Sequence, residues 1–420
     1  MGAKVMEKIR YGVIGIKGVG QVHIRAAKAN PHVELVALVD TDEAAVSGAA
    51  MTHGVRAFTN YVDLLDADLV DAVSIAVPHS LHYPIGMDCL RAGLHVYMEK
   101  PFVTRISEAD GMLALAKKKQ LHIAVGHQYR TQRSAQRVKQ LLDSGMIGRP
   151  LRVLWTWGEF RPESYYRRDV WRNTFQDAGG GILMNQTSHD LDLLCWMMGK
   201  PKQVSAMLGN QLHQTEIEDI ACANVLFENG AMASYQCTVN HPKSYSVRQI
   251  EGEQGIIVMP DVQSLTYDQD EEILVGTYQA PLFQMAADLP GKDDQPTIVW
   301  SSCGFKQPPP VKDNPGILTR GLRRLGVLRR PNQPPAIQKP VSGFQELMDG
   351  FVDAICHGGE PLVSGNSART TIELINAMYL SALRKKTVEL PLDPHEYDEV
   401  LDDLVKGKLA IPRLRTQLSS

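Results

Sequence analysis

Short apolar runs alternate with amphipathic stretches over roughly the first 125 positions of the chain. "YGVIGI" (11–16) leads through a glycine-rich turn into "QVHIRAAKAN" (21–30), whose apolar positions recur at helical spacing before Pro31. "VELVALVD" (33–40), "DAVSIAV" (71–77), "LHVYMEK" (94–100) and "LHIAVGHQY" (121–129) continue the strand pattern. Helices are predicted between them at "DEAAVSGAAMTHG" (42–54), with a glycine stop, at "YPIGMDCLRAG" (83–93) and at "ISEADGMLALAKKKQ" (106–120). Repeated βα units predict a parallel sheet with helices on both faces. Ligands of such a sheet sit at the carboxyl ends of its strands.

The rhythm changes near residue 129. A helix, "RSAQRVKQLLDSG" (133–145), leads into the alternating strand "PLRVLWTWGEF" (150–160). Further strands are read at 202–212, 221–230, 231–240 and 246–259, and "ENG" and glycine turns between them predict antiparallel pairing. Two amphipathic helices, "FQELMDGFVDAICHG" (344–358) and "SARTTIELINAMYLSALRKK" (367–386), follow. Between them and the strands, residues 260–342 are rich in Pro, Gln, Asp and Gly, with a basic cluster at Arg320–Pro331. This stretch is either a solvated insertion or an arm that binds a partner subunit or an anion.

Three stretches carry chemistry. In "RYGVIGIKGVGQVH" (10–23) Gly15, Gly18 and Gly20 approximate a G-x-G-x-x-G turn, with Lys17 where the second glycine is expected. Lys17 either points to solvent or pairs with a pyrophosphate, and Gly18 takes the close-approach role if the register shifts. Asp40 ends the next strand, where a carboxylate accepts from ribose hydroxyls and repels a 2′-phosphate, so NAD is expected over NADP. The alternative for Asp40 is a helix cap. In "VYMEKPF" (96–102) Glu99, Lys100 and Pro101 end a strand at the ligand face. There Lys100 either bonds a substrate hydroxyl or lies at the surface beside a turn proline. In "GGGILMNQTSHDLDLLCWMMG" (179–199) Asn185, His189 and Asp192 are spaced to share one helix face. His189 is suited to act as a general base toward an alcohol, and a satisfied polar edge is the alternative.

In this order, the glycine turn, the E-K-P stretch and the G-G-G…N-x-x-x-H-x-x-D stretch resemble the Gfo/Idh/MocA oxidoreductases, which act on sugars, inositols and related polyols with NAD(P). The likeness extends to 78–93, 217–232 and 361–383 and leaves 260–342 poorly covered. It implies an α/β N-terminal Rossmann domain (1–128) and an α+β C-terminal domain (129–420) with a large, mainly antiparallel open sheet. It implies that Lys100 lies between nicotinamide and substrate hydroxyl, that His189 is the catalytic base, and that Asn185 fills a position often held by aspartate. Val19, Val77, His79, His82, Glu99 and Pro101 would line the cofactor side, with Gly15, Lys17, Gly18, Gly20 and Asp40. His127–Arg130 would form the crossover, with Tyr129 and Arg130 near the cleft. Thr187, where glycine is common, would narrow the pocket. Tyr165, Tyr166, Arg168, Trp171 and Arg172 are candidates for contacting a sugar, and packing accounts for them nearly as well.

The chain of 420 residues is 44% hydrophobic and 22% charged, with a formal charge of −3. Nothing in that balance draws it toward nucleic acid or a membrane. Its 6 cysteines form no C-x-x-C pair, so neither a disulfide framework nor a metal site is expected. No secretory pattern opens the sequence, and the cytoplasm is the expected location. An open apolar sheet face is expected to pair copies into a homodimer or homotetramer. The expected activity is NAD-dependent oxidation of a secondary alcohol on a sugar or cyclitol. Redox-neutral epimerisation or glycoside elimination with transiently used NAD, and a non-catalytic sugar or nucleotide sensor, are the alternatives.

Overall fold

The computed structural model describes residues 8–259, 273–284, 298–302 and 343–414. The first sheet is built from β1 (Ile9–Ile14), β2 (Val33–Val39), β3 (Arg56–Phe58), β4 (Ala72–Ile75), β5 (His95–Met98) and β6 (Ile123–Val125). Between them run α1 (Gly20–Ala29), α2 (Glu43–His53), α3 (Tyr61–Asp66), α4 (His82–Arg91) and α5 (Ile106–Lys119). The strand order is β3-β2-β1-β4-β5-β6, and every pair is parallel. All four residues of β4 are buried, as expected of a strand covered by helices on both faces. The order reverses between β1 and β4, which opens a crevice above their carboxyl ends. The strand expected over 121–129 stops at Val125, and Gln128–Thr131 form a 3₁₀ turn.

The second half starts with α6 (Arg133–Asp143), β7 (Pro150–Phe160), α7 (Glu163–Arg168), α8 (Phe175–Ala178) and α9 (Ser188–Met198). Then come β8 (Pro201–Gly209), β9 (Ile220–Phe227), β10 (Met232–Thr238), β11 (Asn240–Gly252), β12 (Gly255–Met259), β13 (Leu274–Tyr278) and β14 (Ile298–Ser302). The chain closes with α10 (Gly343–His357), α11 (Gly365–Arg384), β15 (Val388–Glu389) and α12 (Pro394–Val405). The nine strands form one sheet, β14-β13-β12-β11-β7-β10-β9-β8-β15. All its pairs are antiparallel except β7 with β10, where Met232 lies opposite Arg152. β13 and β14 fall inside the stretch read as an insertion, whereas the basic cluster at 320–331 lies outside the described residues.

Helices α9 and α11 cover one face of this sheet. On the other face Leu154, Met207, Met232 and Val247 are exposed among Arg152, Ser234 and Gln236. Helix α11 also packs on α5, and its run from Ile372 to Ser381 is buried without a break. Just before it, the Val363 carbonyl accepts from the Val125 N–H, and Ser364 bridges to Ala124. The second half thus borders β6 of the first sheet. Among the described residues no helix is long and apolar enough to cross a membrane, and no cluster of His, Cys, Asp or Glu is grouped to hold a metal ion.

Candidate active site

The glycine turn lies where β1 meets α1, at the crevice. Gly15 has φ +84°, and a Cβ built there would stand 2.2 Å from the Ala76 carbonyl oxygen. A Cβ on Gly20 would stand 2.0 Å from the Gly15 carbonyl oxygen. These two positions, not Gly18, are the crowded ones, since a Cβ on Gly18 meets open space. Val19 precedes α1 without a side-chain cap, and the first turn of α1 holds no acidic residue, so the positive end of the helix faces the turn, while the Gly20, Gln21 and Val22 N–H groups donate to the Lys17, Gly18 and Val19 carbonyls. Lys17 does not enter this cradle. Its side chain is 62% exposed and its Nζ lies 2.7 Å from Asp42 Oδ2. Asp40 Oδ2 accepts from the Ile16 N–H and Oδ1 from the Asp42 N–H, which ties the end of β2 to the turn. Asp42, not Asp40, caps α2. A crowded glycine turn, a helix N-terminus without an acidic residue and a carboxylate one strand away fit a dinucleotide.

Glu99, Lys100 and Pro101 follow β5, the neighbour of β4, and the Lys100–Pro101 peptide is cis. Glu99 is buried at the end of a hydrogen-bonded chain: Tyr11 OH to Ser74 Oγ at 2.7 Å, Ser74 Oγ to His23 Nδ1 at 2.9 Å, and His23 Nε2 to Glu99 Oε1 at 2.8 Å. Burial raises the Glu99 carboxyl, but the His23 bond and the charges of His23 and Lys100 outweigh it and hold it below its ordinary range. Its Oε2 accepts from the Lys100 N–H, which anchors the backbone of the lysine. His82 spans the Pro101 and Val77 carbonyls at 2.8 and 3.0 Å, and His79 meets the Ala178 carbonyl at 2.9 Å.

Lys100 Nζ donates to the Asn185 carbonyl at 2.8 Å and reaches Asn185 Oδ1 at 3.3 Å. Burial lowers its pKa to about 8, with Arg172 and Arg161 adding to the fall and Glu99 opposing it. His189 is buried, its ring stacked on Tyr129 at 4.5 Å between centroids and edge-on to His127 at 5.5 Å. Burial, followed by the charges of Lys100 and His127, holds His189 well below its ordinary range, so the imidazole is uncharged at neutral pH.

The single helix face expected for Asn185, His189 and Asp192 does not exist. Ile182–Gln186 form a π-helical turn, closed when Thr187 N–H and Oγ1 both donate to the Ile182 carbonyl at 2.8 and 3.0 Å, and α9 begins only at Ser188. Asn185 is thereby turned onto Lys100, while Asp192 takes a bidentate bond from Arg130 at 2.7 Å through both nitrogens. Arg130 is therefore committed inside the protein and does not face the cleft as expected. Thr187 is fully buried toward Ile182 and Cys237 and does not narrow a pocket. Tyr166 is buried against His213, and Arg168 is 73% exposed beside Asp169, so neither joins Lys100. Trp171 meets the edge of His79 at 4.8 Å, and Arg172 lies over Trp171 and Tyr165. Arg161 stands over the same Tyr165 ring. Sequence reasoning passed over Arg161, Glu159 and His23; an Arg-Pro pair directly after an alternating strand was the available signal for Arg161.

Residues 9–127 match the oxidoreductase family with an NAD-binding Rossmann fold, GFO_IDH_MocA, and residues 135–258 match the GFO/IDH/MocA C-terminal domain. Oxidoreductase P35 of Formosa agariphila is 28% identical over 254 residues, which span 60% of this chain and 78% of that protein. Myo-inositol 2-dehydrogenase of Thermotoga maritima is 26% identical over 267 residues, 61% of this chain and 77% of that protein. The WlbA dehydrogenase from Bordetella pertussis, solved with NADH and UDP-GlcNAcA, superposes with a TM-score of 0.71 over 92% of this chain and 100% of its own, at 25% identity. With both halves matched in order and the parallel and mixed sheets in place, the chain belongs to the GFO/IDH/MocA family of oxidoreductases.

Proposed function

We propose that the chain is an NAD-dependent dehydrogenase that oxidises a secondary alcohol of a sugar or cyclitol. The reading is carried by the Lys100 ammonium, held on both oxygens of Asn185, with an uncharged His189 within range of its charge. One group is a cation suited to an oxygen that becomes negative, and the other is a base free at neutral pH. Among the relatives, the activity on myo-inositol and the bound UDP-GlcNAcA support the substrate class. NAD, when bound, supplies the hydride acceptor. Lys100 Nζ donates to the substrate hydroxyl and stabilises the charge developing on its oxygen. His189 takes the hydroxyl proton at Nε2, because Nδ1 is enclosed, without a partner among the described residues. Asn185 acts through Lys100 and is a positioning residue. Asp40 keeps lone pairs beyond its two backbone bonds for ribose hydroxyls, and its charge disfavours a 2′-phosphate.

The test is incubation with NAD⁺ or NADP⁺ and a panel of sugars and cyclitols, followed by the absorbance of reduced nucleotide. NADH is expected to form, and the reaction with NADP⁺ is expected to be at least about tenfold less efficient, one phosphate–carboxylate repulsion being worth that much. Altered sugar without accumulated NADH would move the reading to redox-neutral chemistry. Neither nucleotide binding nor turnover would leave a sensor.

The exposed Leu154, Met207, Met232 and Val247 on the uncovered sheet face support self-association through that face. Light scattering is expected to give the mass of a dimer or tetramer. A monomer mass at micromolar concentration would remove this reading.

A further inference from the structure

Arg161 and Arg172 converge on one aromatic ring. Their guanidinium carbons lie 5.2 and 5.0 Å from the centre of Tyr165. Tyr165 OH lies 3.5 Å from Asn185 Nδ2, and the oxygens of Asn185 hold Lys100 Nζ. The two arginines are thus linked to the Lys100 ammonium through two side chains, and both depress its pKa across that space. On the other flank Arg172 stands 4.7 Å over Trp171, whose ring meets His79. The pair therefore borders the space between Lys100 and His79.

Each arginine is held by one carboxylate through one nitrogen: Arg161 Nη1 by Glu159 Oε1 at 2.7 Å, and Arg172 Nη1 by Asp169 Oδ2. Among the described residues the Nε of each is enclosed with no acceptor. The edge formed by Nε and Nη2 is the one that takes a carboxylate side-on through two parallel bonds. Among the described residues no hydrogen bond occupies Nη2 of either arginine. An enclosed donor without a partner is unfavourable, and a ligand that brings acceptor oxygens to it relieves that cost. A neutral hydroxyl offers one acceptor at a time; a carboxylate offers two in the plane of the fork.

We propose that Arg161 and Arg172 form a carboxylate subsite, and that the substrate is an anionic polyhydroxy acid of the hexuronate type. Its carboxylate lies at the guanidinium edges. The reacting hydroxyl is then at Lys100. This last placement rests on the dehydrogenase reading above, whereas the subsite stands on the arginines alone.

The experiment is calorimetric titration of the NADH-loaded full chain with D-glucuronate and D-galacturonate, beside D-glucose and D-galactose. At least one uronate is expected to bind about 10- to 100-fold more tightly than its hexose, the range for a charge-assisted bidentate pair. Arg161→Gln and Arg172→Gln are each expected to reduce that preference about tenfold or more, with NADH affinity reporting that the variants are folded. Should a glutamine variant fail to fold, Arg161→Lys and Arg172→Lys retain the charge without the fork and are expected to lose most of the preference. Uronates bound no more tightly than hexoses, preference unchanged in the variants, or no binding of any of the four probes would each overturn the subsite. Uronate preference without NAD⁺ reduction would keep the subsite and reject the dehydrogenase reading for these compounds. Hexose oxidation without uronate preference would do the reverse.

Discussion

Lys100→Met is expected to lower kcat for alcohol oxidation by about three orders of magnitude while NADH still binds. Two effects combine. The variant removes the cation that meets the developing oxygen charge, a contribution of about 10²–10³ for one preorganised donor. It also leaves both oxygens of Asn185 without their donor, which loosens the π-helical turn beside His189. The pH profile separates this role from its rival. The Lys100 pKa of about 8 means that the ammonium is present below pH 8 and lost above it. The depressed His189 is already deprotonated through the neutral range. If Lys100 is the oxygen holder, kcat/KM for oxidation is level near neutral pH and falls above about pH 8. If Lys100 were the base, kcat/KM would rise through the same region. Lys100→Arg keeps the charge and is expected to remove the alkaline fall at reduced turnover. Unchanged turnover in Lys100→Met would reject the assignment altogether.

Gly20→Ala is expected to weaken NADH binding by at least about 100-fold and to destabilise the fold by about 1–3 kcal/mol, the usual range for overpacking. The added methyl group meets the backbone of Gly15, with its oxygen 2.0 Å away, so no side chain can move aside. The turn must open, and with it the close approach of α1 to a pyrophosphate. Gly18→Ala is the control. It meets open space and bears only the cost of a left-handed backbone at φ +51°, about 1–2 kcal/mol. Fluorescence titration with NADH and urea unfolding of both variants give the comparison. Wild-type NADH affinity in Gly20→Ala would show that this turn does not hold the cofactor.

The parallel sheet was legible because its strands are buried on both faces, and apolar runs such as "DAVSIAV" have no other economical reading. The parallel pairing of β7 with β10 was not, since it joins residues about eighty positions apart through a sheet whose neighbours are antiparallel. The π-helical turn at Ile182–Gln186 left no mark in the sequence. Its closure depends on Thr187, and a threonine before a polar helix start reads as an ordinary cap. Periodicity alone therefore puts Asn185 on one face with His189 and Asp192, whereas the turn directs Asn185 to Lys100, and Asp192, on the regular helix, pairs with Arg130. Lys100 and His189 stand out as candidates from their positions beside a strand end and a glycine run. Arg161 and Arg172 were not found as a pair, because an ordinary strand end and a short 3₁₀ turn bring them to Tyr165 only in three dimensions.

Helix α11 is buried on every side from Ile372 to Ser381, with Glu373 and Asn376 included and hydrogen-bonded, and is enclosed by elements of both sheets. A helix of that kind belongs to a shared core, so the two halves of the protein have no smooth surface on which to slide. Lys100 comes from one half and Asn185 with His189 from the other, yet their alignment is set when the chain folds. The entropy of bringing them together is lost before any substrate arrives. A substrate would then meet groups that are already aligned.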